Sequence, residues 1–174
     1  MRKIIILMLF ILLCLFKKAD NKIDLFTTSN PQAAKLLYEF VLKDMEISQE
    51  KAKEVFDYDK SDVYAIFYDL NSDGVNEIIG YIYSPYFYCL QGYELFILSK
   101  DNNLYKRISY VHFFPEGKLY ILNSKTNEYQ DLKLHHTKIK LKNTPKHFLE
   151  TSDAFSKIKY NSKEQCYMYF SLIK

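Results

Sequence analysis

Hydrophobic and polar positions change their spacing once along this chain, close to residue 63. Between Asn30 and Phe56 the apolar residues recur three and four apart. Ala33, Leu36, Leu37, Phe40 and Val41 form one stripe, and Ala52, Val55 and Phe56 a shorter one. That period is helical. Asn30 before Pro31 places a capping side chain ahead of a residue pre-set for the first turn, and Ser48 can cap the second helix. From Val63 onward the apolar residues fall in short runs rich in Ile, Tyr and Phe: VYAIFYDL (63–70), NEIIGYIYS (76–84), YELFILS (93–99) and LYKRISYVHF (104–113). These read as strands, with Asp101–Asn102–Asn103 as a hairpin turn. KLYILN (118–123), YQDLKLH (129–135) and KIKL (138–141) continue the series, and CYMYFSL (166–172) reads as a closing strand. Segment 142–163 is polar, contains Pro145 and reads as irregular. Helices first and strands after predict a single α+β domain over residues 30–174, with N-terminal helices packed on an antiparallel β-meander.

Ahead of that domain the pattern is different. Residues 1–18 open with Arg2 and Lys3, run through apolar residues from Ile4 to Phe16 and end in Lys17–Lys18. An apolar run of this length suits a signal peptide better than a membrane span of about 20 residues. The small residues of a cleavage site are missing, and bulky Leu13 precedes Cys14 where a lipoprotein signal needs a small one. The expected location is therefore periplasmic or secreted. Retention of residues 4–16 as an inner-membrane anchor is the alternative. Residues 19–29 read as a polar tether.

Charge then excludes one class of partner. Of 24 basic residues four lie in the first eighteen, which carry no acid, leaving 20 against 21 acids and a net charge of −1 on the remainder. A nucleic-acid footprint needs a basic face on the folded part, and none is present. Composition adds 16 Tyr and 13 Phe, no Trp and only 4 Gly, which favours a β-rich core.

The candidate chemistry is concentrated in DLNSDGVNE (69–77). Asp69, Asn71 and Asp73 alternate, so a tight curl brings their side-chain oxygens toward one centre. Gly74 permits the sharp turn, Val75 offers a backbone carbonyl, and Glu77 closes the set. Hard oxygen donors in this order predict Ca²⁺. Three crowded carboxylates repel one another when no cation is bound. A plain Asp-Gly hairpin turn is the alternative, but it gives no reason for Asp69, Asn71 or Glu77. An EF-hand is excluded, because its twelfth position here is Gly80, inside a strand. Outside the N-terminal segment two cysteines remain, Cys89 and Cys166. In an exported chain an even pair reads as a disulfide, with two buried thiols as the alternative.

Asp69, Asn71, Asp73, Gly74 and Glu77 match D-x-[DN]-x-D-G-x-x-[DE], and the stretch resembles the strand–loop–strand calcium site of integrin-type FG-GAP and VCBS repeats. It occurs once, so the resemblance implies no propeller. More loosely, the chain looks like small exported bacterial proteins of unknown function. These join such a loop to a cysteine-bearing turn, here YFYCLQGYELFIL (86–98), and to a segment like ILNSKTNEYQDLKL (121–134). Many of them carry two cysteines in that turn. Only Cys89 stands here, which leaves Cys166 as its candidate partner.

Little other chemistry is signalled. His135 and His136 are adjacent and would point to opposite faces of a strand, and neither His112 nor His147 completes a metal set. No nucleophile elbow, zinc-protease motif or phosphate loop occurs. The run YIYSPYFYCLQGY (81–93) places aromatic rings at close intervals. Such rings mark a contact surface where they are exposed and core where they are buried. The expected function is an exported, calcium-stabilised binding domain without catalytic activity, its partner an unidentified protein or envelope component. The alternatives are a cell-envelope hydrolase with spatially paired carboxylates and a membrane-anchored structural protein.

Overall fold

Asn30 caps the first long helix as expected: its side-chain oxygen accepts the N–H groups of Gln32 and Ala33 at 2.9 and 3.1 Å. In the computed structural model, which describes residues 19–89, 92–115, 118–141 and 149–173, three helices precede the main run of strands. They are a single turn α1 (Leu25–Thr28), α2 (Pro31–Asp44) and α3 (Gln49–Phe56), the last capped by Ser48. Residues 1–18, with the expected export segment, lie outside the described residues. Among those described, no helix is long and apolar enough to cross a membrane.

The strands form two antiparallel sheets. The inner sheet contains β2 (Val63–Tyr68), β3 (Glu77–Ile82), β4 (Tyr88–Cys89) and β5 (Gly92–Asp101) in the order β2-β3-β5-β4, with β6 (Leu104–Arg107) and β7 (Val111–Phe113) also paired to β5. The outer sheet runs β1-β8-β9-β10-β11, from β1 (Asn21–Ile23) through β8 (Leu119–Thr126), β9 (Tyr129–Leu141), β10 (Leu149–Asn161) and β11 (Cys166–Ile173). The α+β class therefore holds, with helices on antiparallel sheets.

Two apolar clusters make this a three-layer molecule. Ala33, Leu37, Tyr38 and Val41 of α2 pack on Val63, Ala65, Ile78, Ile82, Phe96 and Leu98 of the inner sheet. Ile79, Tyr81, Leu95 and Ile97 on its other face meet Leu119, Ile121, Leu132, Leu134, Ile158 and Tyr167 of the outer sheet. The inner sheet is thus covered on both sides, so every residue of β3 is buried. This explains why NEIIGYIYS is nearly continuously apolar rather than alternating. Gly80 lies at the tightest point. A Cβ there would stand 2.4 Å from the Tyr64 carbonyl oxygen and 2.8 Å from Leu37 Cδ2, so the missing side chain lets α2 settle onto β3.

Two expectations are corrected. Residues 19–29 are no tether: Asn21–Ile23 pair in register with Leu119–Ile121, and Ile23 and Leu25 are buried in the core between the sheets. Nor is 142–163 wholly irregular, since Leu149–Asn161 form a strand bonded to β9 on one side and β11 on the other. Backbone pairing on both edges holds a segment whose side chains give little apolar pattern.

Candidate functional site

The acidic loop connects β2 to β3, and its side chains are turned onto its own backbone. Asp69 Oδ1 accepts the N–H groups of Ser72 and Asp73 at 2.7 and 3.2 Å, and Asp69 Oδ2 accepts that of Gly74 at 3.0 Å. Asn71 Oδ1 accepts the Asp73 N–H at 3.1 Å while its amide donates to Asp73 Oδ2 at 2.7 Å. Asp73 Oδ1 accepts the N–H of Val75 at 2.7 Å. Ser72 and Gly74 both have positive φ, 66° and 84°, so the chain reverses twice within three residues. Asp69, Asn71, Asp73 and Val75 are therefore brought into one curl, as their spacing predicts.

Glu77 behaves differently. It is 1% exposed and turns inward, with Oε2 accepting the Leu70 N–H at 2.8 Å and Oε1 accepting the Ser99 hydroxyl at 3.4 Å. No basic side chain pairs with it among the described residues. Burial pushes its carboxyl up to about 6, the charges of Asp73 and Asp69 add to the rise, and the Leu70 N–H partly offsets it. Among the described residues, no group of three or more His, Cys, Asp or Glu is placed to hold a metal ion. Both Asp69 oxygens and Asp73 Oδ1 accept amide hydrogens of the loop.

The outer sheet braces this hairpin. Lys125 Nζ donates to Ser72 Oγ at 2.8 Å and to the Asn71 carbonyl at 3.3 Å, and the Gln130 N–H donates to the Leu70 carbonyl at 2.8 Å. Both residues belong to the segment ILNSKTNEYQDLKL singled out beside the loop. Its direct contact with residues 70–72 had no signal of its own in the sequence.

A second polar cluster escaped the sequence reading. Asp131 is 1% exposed, and its Oδ2 accepts from Ser124 Oγ at 2.6 Å and from Lys157 Nζ at 2.9 Å. Lys157 also donates to Ser124 Oγ at 2.9 Å. A serine touching a lysine suggests a nucleophile and its base, but the arrangement works against it. Burial pushes the Asp131 carboxyl up, yet hydrogen bonds from Ser124, Lys157 and Thr126 and the adjacent ammonium outweigh that and hold it below its ordinary range. The Ser124 hydroxyl donates to Asp131 and accepts from Lys157, so the lysine meets it as a donor and not as a base. The cluster joins β8, β9 and β10.

At the opposite end of β3 the aromatic run divides. Tyr81 and Phe87 are buried, whereas Tyr83, Tyr86 and Tyr88 are 49%, 56% and 48% exposed. Tyr83 stacks on Tyr93 at 5.2 Å between centroids, Tyr93 meets Tyr88 at 5.0 Å, and Tyr88 meets Phe114 at 6.4 Å. Phe26 of α1, 38% exposed, extends the row from Tyr83 at 6.2 Å. Cys89, at the end of β4, forms no disulfide with Cys166, which opens β11 opposite Asn161. The two thiols belong to different sheets, and burial pushes that of Cys166 up, with the nearby Glu164 charge adding to the rise. No family model, curated protein or solved structure matches the chain.

Proposed function

We propose that this protein is an exported, non-catalytic binding domain that meets a cell-envelope component with its aromatic face and is stabilised by Ca²⁺ at residues 69–77. The observation that carries the reading is the row of rings left partly open beside an otherwise well-filled core, Tyr83 and Tyr88 being about half exposed. Exposed aromatic area of this kind marks contact surfaces. Catalysis has less support. Among the described residues Glu77 is the one carboxyl held above its ordinary range, and it faces the interior rather than a cleft.

For the ion, the buried Glu77 carboxylate supports the reading. It carries a charge with no basic partner, 8 positions after Asp69 and 4 after Asp73, in a loop that resembles the FG-GAP and VCBS calcium site. Asp69, Asn71, Asp73, the Val75 carbonyl and Glu77 would hold the ion, which supplies two positive charges to neutralise the crowded oxygens. The Asn71 amide hydrogen on Asp73 Oδ2 would be displaced. Residues 1–18, with their basic start and apolar run, support export.

Sedimentation with delipidated envelope fragments tests the proposal. In calcium buffer the full chain is expected to pellet with the fragments, and the Tyr83→Ser/Tyr88→Ser double variant to stay in solution. Equal behaviour of the two proteins would remove the aromatic face from the reading.

A further inference from the structure

The net charge of −1 on residues 19–174 conceals a division. Residues 19–115 carry 9 basic and 15 acidic side chains, and residues 116–174 carry 11 and 6. The first stretch forms the helices and the inner sheet, the second the outer sheet apart from β1. Charge asymmetry of this size between two parts of a chain points to an anionic surface or polymer as partner of the basic part.

Strand pairing gathers some of that charge into a row. In the outer sheet Ile23, Leu119, Ile121, Leu132, Leu134 and Ile158 face the core, so the residues alternating with them face away from it. Lys22 stands opposite Tyr120, Tyr120 opposite Lys133 and Lys133 opposite Lys157, one residue on each of β1, β8, β9 and β10. The Lys22 and Lys133 ammonium groups lie 5.8 and 4.9 Å from the centre of the same Tyr120 ring. Like charges gathered on one ring repel each other, and an anion beside them is attracted by both. Positions two residues from the row add Lys118, Lys159 and three acids. Each acid is engaged: Asp24 by Lys118, Asp131 by Lys157 and Ser124, and Asp20 by the backbone and side-chain N–H groups of Asn123, both at 3.1 Å. Five lysines against three acids leave this face positive. The sequence pattern shows no such face, because the lysines come from four strands and from positions 22 to 159.

Among anionic partners, the N-terminal residues single out a lipid surface. Residues 4–16 are apolar, and Phe16 precedes Lys22 by six residues, which span at most about 21 Å. A bilayer that takes up the apolar run is thereby held beside β1, with Lys17 and Lys18 in between. The run has 13 residues against the roughly 20 of a full span, so alone it is a weak anchor. A weak apolar anchor holds stably when a basic patch adds a second contact. Tyr120 fits the same place, since a ring with a polar tip settles at headgroup depth.

We propose that the outer face of the outer sheet, through the row Lys22, Tyr120, Lys133 and Lys157, docks on anionic phospholipid headgroups and acts with residues 4–16 as the second of two membrane contacts. The docking goes beyond the binding role of the aromatic face and does not depend on it.

Vesicle flotation tests the proposal with the full chain, because aggregated protein does not float. The vesicles are phosphatidylcholine alone and phosphatidylcholine mixed with phosphatidylglycerol. Stronger partition onto the anionic vesicles is expected, weakening as salt is raised. A lysine at an anionic surface is worth about 1 kcal/mol, so Lys22→Gln and Lys133→Gln should each weaken that partition about fivefold and leave partition onto phosphatidylcholine unchanged. Lys43→Gln/Lys51→Gln, which removes two positive charges from α2 and α3 instead, should alter neither. Melting temperatures of all variants separate lost contact from lost fold. Equal partition onto both vesicles, or a loss in the α2 and α3 control equal to that of the Lys22→Gln/Lys133→Gln variant, would overturn the proposal. So would an undiminished anionic preference in that folded variant, which would assign the preference to Arg2, Lys3, Lys17 and Lys18. Retention of duplex DNA at the same salt, without preference for anionic vesicles, would assign the face to nucleic acid. The envelope fragments that test the aromatic face are delipidated, and neither lysine variant alters Tyr83 or Tyr88, so either reading can fail while the other stands.

Discussion

The two ends of β3 make opposite use of similar sequence density. At Glu77 the strand emerges from a loop crowded with oxygen atoms, and most of those atoms are occupied by hydrogens of the same loop. At Ile82 it leads into a run crowded with rings, and Tyr83, Tyr86 and Tyr88 remain about half open. Polar groups that close on one another hold a hairpin; apolar groups the fold does not cover remain for something else to cover. A dense motif is therefore not by itself the working surface. What matters is how much of its bonding capacity the native chain already uses.

Gly80 lies between the two ends, and altering it should have the largest effect of the changes considered. A methyl group there meets the Tyr64 carbonyl oxygen at 2.4 Å and Ala65 Cβ at 2.6 Å, one an atom of the paired strand's backbone and the other bonded directly to it. Neither can turn aside as a long side chain would. Gly80→Ala should lower stability by roughly 2–3 kcal/mol, read as a lower urea midpoint with an unchanged slope. Because β3 carries both ends, the proposed calcium response and the aromatic surface should weaken together. An unchanged midpoint would mean that α2 is not seated on this strand.

Glu77 sharpens the contrast at the acidic end alone. Its carboxyl is pushed up to about 6, above the ordinary 4.5, so the folded chain holds a proton that the unfolded chain releases between those values. The corresponding stability is full below pH 4.5 and is lost as pH rises through 6, by at most about 2 kcal/mol. In chelator the wild type should therefore lose stability across that window. Glu77→Gln keeps an acceptor for the Leu70 N–H and removes the charge, so its profile should be flat there. At neutral pH, millimolar calcium should raise the melting temperature of the wild type and leave Glu77→Gln unmoved. A calcium shift equal in both proteins would detach Glu77 from the ion.

The helices were legible because capping is local: Asn30, Pro31 and Ser48 announce their ends within three residues of the bonds they make. The curl of Asp69, Asn71 and Asp73 was legible for the same reason. The inward turn of Glu77 was not, since Ser99 reaches it from 22 positions away on β5. The second sheet had one faint signal, the unbroken apolar run of β3, which calls for cover on both faces. β1 was hidden by its length of three residues with only Ile23 buried, and β10 by side chains that scarcely alternate. The separation of Cys89 from Cys166 depends on which sheet each strand joins, and cysteine number carries no information about that.

The smallest stability effect should come from the open end. Tyr83 follows Tyr81 by two positions, yet Tyr81 is 0% exposed and Tyr83 49%. Removing the Tyr83 ring leaves no cavity in the core; it gives up contacts with Phe26 and Tyr93 at the surface. Tyr83→Ser should therefore change stability by about 1 kcal/mol or less, the worth of surface ring contacts given up without a cavity. A loss this small would carry weight because a ring buried in the core, as Tyr81 is, cannot give it. If thermal unfolding instead shows a loss comparable to that of Gly80→Ala, Tyr83 belongs to the packed interior. The open end of β3 would then be as closed as the acidic one, and the basis for assigning it a partner would go with it.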